Sequence, residues 1–142
     1  MSGRKKITIK DFSVPTAVIR LTNIREERGF KIGKYYAGLE HDTKALYEAT
    51  RFAWSTKRNK KILDTRIALA VHDYMVLEVY EIDSWHKCEA KRVGKLNGYK
   101  DPKDRVEFSG KIAEESVRQK FKGASVEGLF KHGNACPVMC FG

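Results

Sequence analysis

The 142-residue sequence lacks long apolar runs, and no stretch approaches the run of about 18 apolar residues that a membrane-spanning helix needs. Its first ten residues are basic and lack the apolar core of a secretory signal peptide. Cysteine is scarce, with three residues, an odd number without the spacing of a disulfide framework. These absences predict a soluble protein without a membrane partner, in a reducing cytoplasm or, for a viral protein, in the cytoplasm of its host.

The sequence also lacks the short motifs of several enzyme classes. GxxxxGK[ST], GxGxxG, HExxH and GxSxG are absent, so phosphate loops, dinucleotide sites, zinc proteases and serine hydrolases have no support. Asp104, Glu107 and Lys111 lie around one short apolar run, and carboxylates beside a lysine are the parts of a metal-dependent nuclease. A nuclease is therefore kept as an alternative, although the sequence leans against an enzyme.

The cysteines raise the separate question of a zinc site. His132, Cys136 and Cys140 recur every four residues, whereas structural zinc needs paired ligands from two separate knuckles. Pro137 also interrupts the helical spacing of this group. We predict that the protein binds no metal and needs no cofactor.

Positive charge is what the sequence has in excess. Lysine and arginine number 28 against 18 acidic residues, which gives a formal net charge of +10 and a pI near 9.6. Such an excess favours anionic partners whatever the fold, so we expect a nucleic acid or a nucleotide. Residues 1–12 carry four of these cations and form a predicted basic arm, either solvated and flexible or in contact with phosphates.

Hydrophobic patterning predicts more strands than helices. The strand-like runs are rich in β-branched residues or alternate in polarity, and they cover residues 14–24, 67–71, 76–82, 105–111 and 137–141. The second and third of these runs are separated by a turn-length gap and predict an antiparallel hairpin. The polar, glycine-punctuated residues 84–104 predict a long loop after it.

Helical spacing is found in two segments. The first extends to residue 51 after a capping Asp42 or Thr43, and the second covers residues 113–121 before a C-terminal Gly123. Helices and strands interleave irregularly, which does not suit a doubly wound parallel sheet. The pattern predicts one α+β domain over residues 1–142, with a small mixed or antiparallel sheet, or a barrel, and two or three helices.

Two tryptophans lie beside clusters of cations. Trp54 follows Arg51 and precedes residues 55–61, which contain four basic residues and no acid. Trp85 precedes His86 and Lys87 at the end of the predicted hairpin. An exposed ring can stack a base, worth about 1–3 kcal/mol, while neighbouring cations hold its phosphates. The alternative for both rings is a place in the hydrophobic core.

Further cations complete the predicted site. Arg118 and Lys122 are four residues apart on the second helix and share a face, where they either bind an anion or compensate the helix dipole. Arg66 and Lys111 stand at the ends of predicted strands. The predicted ligand-binding residues are Arg51, Trp54, Arg66, Trp85, Lys111 and Arg118.

Residues 46–54 (LYEATRFAW), 67–85 and 105–133 together resemble a small domain of bacterial and phage proteins. The shared pattern is a Thr-Arg-aromatic-Trp signature, a hairpin ending in tryptophan, a strand ending in Phe-x-Gly, and a basic helix end. The chain departs from it at Asp104 and Val106, where the family has glycine and tryptophan, and this puts one aromatic wall in doubt. The domain is similar to PUA-like barrels of the ASCH and EVE type, which implies recognition of a modified or flipped base in a nuclease or defence context.

Three functions follow as expectations. The first is a non-enzymatic nucleic-acid-binding domain that uses the predicted tryptophans and cations. The second is a protein that sequesters a free signalling nucleotide, with the same residue types in a closed pocket. The third is the metal-dependent nuclease. A continuous basic stripe favours a polymer, and a single deep basic pocket favours a nucleotide.

Overall fold

The fold is organised around a central strand, β5 (Ile67–His72), which is buried on both faces of a mixed sheet. The computed structural model describes residues 5–23, 34–35, 37–52, 54–57, 59–88, 105–130 and 138–142. Ala68 and Ala70 pack in one hydrophobic cluster, whereas Leu69 and Val71 pack in another on the opposite face. A strand buried on both faces needs a continuous apolar run, which explains why the sequence IALAV lies at the centre.

Among the described residues, the main sheet has six strands. Beside β5 these are β1 (Thr16–Arg20), β4 (Trp54–Ser55), β6 (Met75–Lys87), β7 (Arg105–Ile112) and β8 (Val138–Phe141). Their order is β4-β7-β6-β5-β1-β8, with β1 parallel to β5 and every other pair antiparallel. The sheet is nearly closed, which confirms the predicted α+β class with a mixed, barrel-like sheet.

The predicted hairpin is confirmed, since β5 and β6 pair in antiparallel register around Asp73 and Tyr74. β6 is longer than its apolar run. A register shift between Ile82 and Ser84 interrupts the alternation of polarity, but pairing with β7 continues to the end of the strand. The prediction of a loop from residue 84 is therefore wrong for residues 84–87, and residues 89–104 lie outside the described ranges.

The first predicted strand is also divided. Its run at 14–24 yields β1 and a separate two-residue strand, β2 (Thr22–Asn23), which pairs in parallel with β3 (Lys34–Tyr35). The terminal strand at 137–141 is confirmed as β8, and the strand at 105–111 as β7.

Both helices begin and end for local chemical reasons. Before α1 (Thr43–Arg51), Asp42 Oδ1 accepts a 3.1 Å hydrogen bond from Ala45 N, which confirms the predicted N-cap. α2 (Glu115–Phe121) is shorter than predicted and is followed by Gly123 at φ 82°, a conformation that favours glycine. No helix in the described ranges is long and apolar enough to cross a membrane.

The N-terminal segment packs against the sheet. Ile7 is 2% exposed, and its backbone N–H donates a 2.8 Å hydrogen bond to Ser125 O. Phe12 stacks on Phe121 of α2, with ring centroids 5.8 Å apart. The predicted basic arm is therefore not free over residues 5–12, while residues 1–4 lie outside the described ranges.

Candidate nucleic-acid interface

Arg51 stabilises a sheet edge. β4 pairs with β7 only at Val106 and Arg105, so the edge of β7 beyond them has no neighbouring strand in the described sheet. Arg51 Nε donates to Phe108 O at 2.8 Å, and Tyr47 Oη accepts from Gly110 N at 3.0 Å. Tyr47 and Arg51 are one helical turn apart on α1, so this helix provides hydrogen-bond partners for both the Phe108 carbonyl and the Gly110 N–H at the sheet edge. These contacts explain why residue 51 is an arginine, and the explanation does not require a ligand.

The Arg51 guanidinium also neutralises a buried carboxylate. Its Nη2 lies 2.8 Å from Glu107 Oε1, and the Glu107 side chain is 3% exposed. His86 Nε2 lies 3.5 Å from the same oxygen. Leaving a buried carboxylate without its cation costs about 3–5 kcal/mol, so this ion pair is part of the fold.

The nuclease alternative gains nothing from this geometry. Glu107 is buried and paired with Arg51, whereas Lys111 is exposed and lies opposite Glu81, so the two side chains are committed to different surroundings. Asp104 lies outside the described residues. Within the described part of the chain, no group of three or more histidine, cysteine or acidic side chains is placed to hold a metal ion.

Trp54 belongs to the hydrophobic core. It belongs to the same buried hydrophobic cluster as Leu46, Ala49 and Phe108, and the residue is 7% exposed. Nε1 donates a 2.8 Å hydrogen bond to Thr50 O, one of the last carbonyls of α1. The expected stacking of a base on Trp54 is therefore corrected, because the ring faces the protein interior.

Trp85 and Arg66 meet at one turn. Trp85 lies on β6 as a partly exposed ring in edge contact with Phe108, with centroids 5.3 Å apart. Its Nε1 is 3.1 Å from Thr65 Oγ1, which itself donates to Ile62 O at 2.6 Å. Arg66 follows directly, is exposed, and donates to Thr65 O at 3.2 Å. An aromatic ring and a cation thus flank the same turn, although Trp85 lies on a strand and not in the predicted loop.

The remaining two predicted cations lie elsewhere. Lys111 is exposed and pairs across the sheet with Glu81 on β6. Arg118 on α2 donates to both carboxylate oxygens of Glu78, at 3.0 and 3.2 Å, and Lys122 Nζ lies 3.2 Å from the second oxygen. Burial raises the pKa of Glu78. Hydrogen bonds from Arg118, from the Val79 backbone N–H and from Lys122 outweigh that effect, and they hold the pKa below its ordinary value. Arg118 is therefore a structural partner of a buried carboxylate.

Cations gather at the gap between the two outer strands of the sheet, β4 and β8. We call this shallow depression of about 290 Å³ the basic seam, and its lining residues are Lys57, Asn59, Lys60, Lys61 and Cys140. The first four belong to the segment after β4, and Cys140 belongs to β8. In the described ranges, Lys60 and Lys61 make no ion pair, and both are exposed. None of the described lining residues is a carboxylate, so the lining contributes only positive charge, although Asp64 lies near enough to act on Cys140.

The Cys140 thiol is not a reactive group in the seam. Burial raises its pKa to about 11, with smaller opposing effects of Lys61, which lowers it, and Asp64, which raises it. The thiol therefore stays protonated at neutral pH and is neither a nucleophile nor a ready metal ligand.

The sequence signal for the seam was the run of cations without an acid in residues 55–61. The sequence predicts these lysines as phosphate contacts around Trp54, whereas the structure buries that ring and leaves Lys60 and Lys61 exposed. Arg58 belongs to the same run but lies outside the described residues. Cys140 could not be placed beside the lysines from the sequence. β4 and β8 lie at opposite ends of the strand order, and only the near closure of the sheet brings β8 to the segment after β4.

Comparison with known proteins provides no relative. The chain matches no protein-family model, no curated protein and no solved structure. The resemblance to a PUA-like domain therefore stays a prediction, and the functional argument depends on the geometry described above.

Proposed function

We propose that this protein is a non-enzymatic nucleic-acid-binding domain that holds the phosphate backbone in the basic seam. The observation that carries the proposal is the cluster of three lysines around one depression, with no carboxylate among its described lining residues, in a chain of net charge +10. Ammonium groups contact phosphates as point charges and release counterions when they do so. Arg66 extends the positive surface beyond the Ile62–Asp64 turn that follows the seam.

Trp85 supplies the aromatic part of the proposed surface. The ring is partly exposed and is fixed by its hydrogen bond to Thr65, so its exposed part is preorganised beside Arg66. Base recognition, in a bacterial or phage defence context, is the finer proposal that the family resemblance adds. With Trp54 in the core, Trp85 is the tryptophan on which that recognition depends.

Salt dependence of binding tests the proposal. Fluorescence anisotropy with labelled single-stranded and duplex DNA and RNA gives the affinity of the wild-type protein and of Lys60→Gln/Lys61→Gln. If both lysines contact phosphates, the slope of log affinity against log salt concentration becomes shallower by about 1.8 for a duplex and about 1.4 for a single strand. The matched control is Lys6→Gln/Lys10→Gln, which removes two exposed charges from the N-terminal segment.

Equal slopes for the two double variants mean that the lysines of the seam act only through net charge, and this result contradicts the proposed surface. Absence of binding at low salt by the wild-type protein removes the nucleic-acid proposal altogether. Tight binding of a mononucleotide with a weak salt dependence identifies the free-nucleotide function instead, since so small a ligand carries few phosphates.

A further inference from the structure

The turn between β5 and β6 carries an aromatic residue in a backbone conformation that disfavours it. Asp73 and Tyr74 occupy its two central positions with φ of 49° and 61°. Two-residue hairpin turns of this kind normally contain asparagine and glycine, because other residues are strained at positive φ. Tyrosine at the second position therefore destabilises the turn relative to glycine.

Burial does not explain this tyrosine. Tyr74 is 41% exposed, so its ring fills no part of the core. Its backbone carbonyl accepts a 2.8 Å hydrogen bond from Val126 N, but a backbone contact of this type does not depend on the side chain. The ring is thus held at the surface against a conformational preference, a situation that is associated with functional sites.

Two neighbours give the exposed ring its chemical character. Phe130 lies with its ring centroid 6.0 Å from that of Tyr74, tilted by 54°. The Arg20 guanidinium carbon lies 4.7 Å from the Phe130 centroid and 5.7 Å from the Tyr74 centroid. We call these three residues the turn cluster. A cation held between rings at a surface combines a stacking face with a positive charge.

We propose that the turn cluster stacks an unpaired nucleobase on Tyr74 while Arg20 attracts the attached phosphate. The inference rests on the proposed function for the chemical class of its ligand, but it concerns a separate place in the fold. Arg66 and Tyr74 lie beyond opposite ends of β5, eight residues and up to about 26 Å apart. Contact at the turn cluster is thus independent of contact at the basic seam.

Substitution of Tyr74 separates binding from stability. Tyr74→Gly removes the ring and relieves the strain, so we expect a melting temperature a few degrees above wild type. The same variant should bind a short oligothymidine at low salt roughly 5- to 150-fold more weakly, the loss expected for one stacked base. Tyr74→Phe keeps the ring and the backbone conformation and should bind as wild type. Duplex DNA offers no unpaired base, so its affinity should stay unchanged in all variants.

Three results overturn the inference. Wild-type affinity of Tyr74→Gly for the oligonucleotide contradicts the stacking contact. A lower melting temperature of Tyr74→Gly, reproduced by Tyr74→Asn, shows that the ring stabilises the fold and removes the premise. Equal losses for duplex and single strand show that no unpaired base is involved.

The two proposals fail in distinguishable ways. If Lys60→Gln/Lys61→Gln loses affinity and Tyr74→Gly does not, only the turn cluster is wrong, and the reverse result contradicts only the seam. Titration with adenosine monophosphate identifies the source of the base. If adenosine monophosphate displaces the oligonucleotide from the wild-type protein but not from Tyr74→Gly, the ligand is a free nucleotide. If it displaces nothing, while the oligonucleotide affinity still depends on Tyr74, the ligand is a strand.

Discussion

Replacing Trp54 with alanine tests whether this ring belongs to the core or to a binding surface. The residue is 7% exposed, and its Nε1 donates a 2.8 Å hydrogen bond to Thr50 O at the end of α1. Truncating a buried tryptophan costs about 3–5 kcal/mol in the free energy of unfolding. Because domains have a total stability of about 5–15 kcal/mol, we expect the variant to lose a large part of it.

Urea denaturation followed by circular dichroism measures this loss. With a slope of about 1–3 kcal/mol per molar urea, the midpoint should fall by about 1 M or more. Trp54→Phe keeps an aromatic ring and removes the hydrogen bond, so its loss should be smaller, near 1 kcal/mol in order of magnitude. Leu63→Ala, at a residue 48% exposed, is the control and should stay within about 0.5 kcal/mol of wild type. A Trp54→Ala protein with a wild-type midpoint and a weakened nucleic-acid affinity would refute the core placement.

Two further predictions concern residues that shape the sheet. A Cβ at Gly110 would lie 2.0 Å from Glu81 O on the neighbouring strand, so Gly110→Ala should lower the free energy of unfolding by about 3 kcal/mol or more. The control is Gly128→Ala, whose added Cβ meets no described atom within 4 Å and should change the stability little. Equal melting temperatures of the two variants contradict this. Because the folded protein holds the pKa of Glu78 below its ordinary value of 4.5, this residue stabilises the fold above that pH, and the stabilisation is lost as the pH falls through the lower, folded-state pKa. Glu78→Gln should therefore be less stable than wild type at pH 7, where Arg118 and Lys122 lose the Glu78 carboxylate and Arg118 keeps only Glu115 among the described carboxylates. Its stability should also fall less steeply on acidification, and parallel pH profiles contradict the assignment.

The parts of the fold that the sequence predicts are those with strong local patterns. The apolar runs of β5 and β6 predict the hairpin, and Asp42 predicts the start of α1, because each signal lies within a few residues of its effect. The parallel pairing of β1 with β5 joins residues about fifty positions apart, and no local pattern encodes it. β4 is two residues long, too short to show any alternation.

The end of β6 shows a different reason for failure. Residues 83–87 contain acidic, polar and basic side chains and resemble a loop, and a register shift at Asp83 removes the period of two. The strand continues because β7 pairs with it, a contact made through the backbone and therefore invisible in side-chain patterning. For the same reason the sequence predicts Trp85 at the start of a loop, and it leaves open whether the ring is exposed or buried.

A cation in a promising sequence context does not by itself indicate a ligand. Arg51 and Arg118 have the right charge, but each one contacts a carboxylate that the fold buries, Glu107 in one case and Glu78 in the other. Buried carboxylates require such partners, and the sequence does not show which acids are buried.

The distribution of ion pairs narrows the choice of binding surface. Glu107 and Glu78 occupy Arg51, Arg118 and Lys122, so these cations contribute little to the field outside the protein. Lys60, Lys61 and Arg66 make no ion pair with any described residue, and all three are exposed on one side of the Ile62–Asp64 turn or the other. An anionic polymer interacts most strongly with charges that the fold has not already neutralised. The seam and the adjoining turn are therefore the surface on which substitutions should change the salt dependence of binding most.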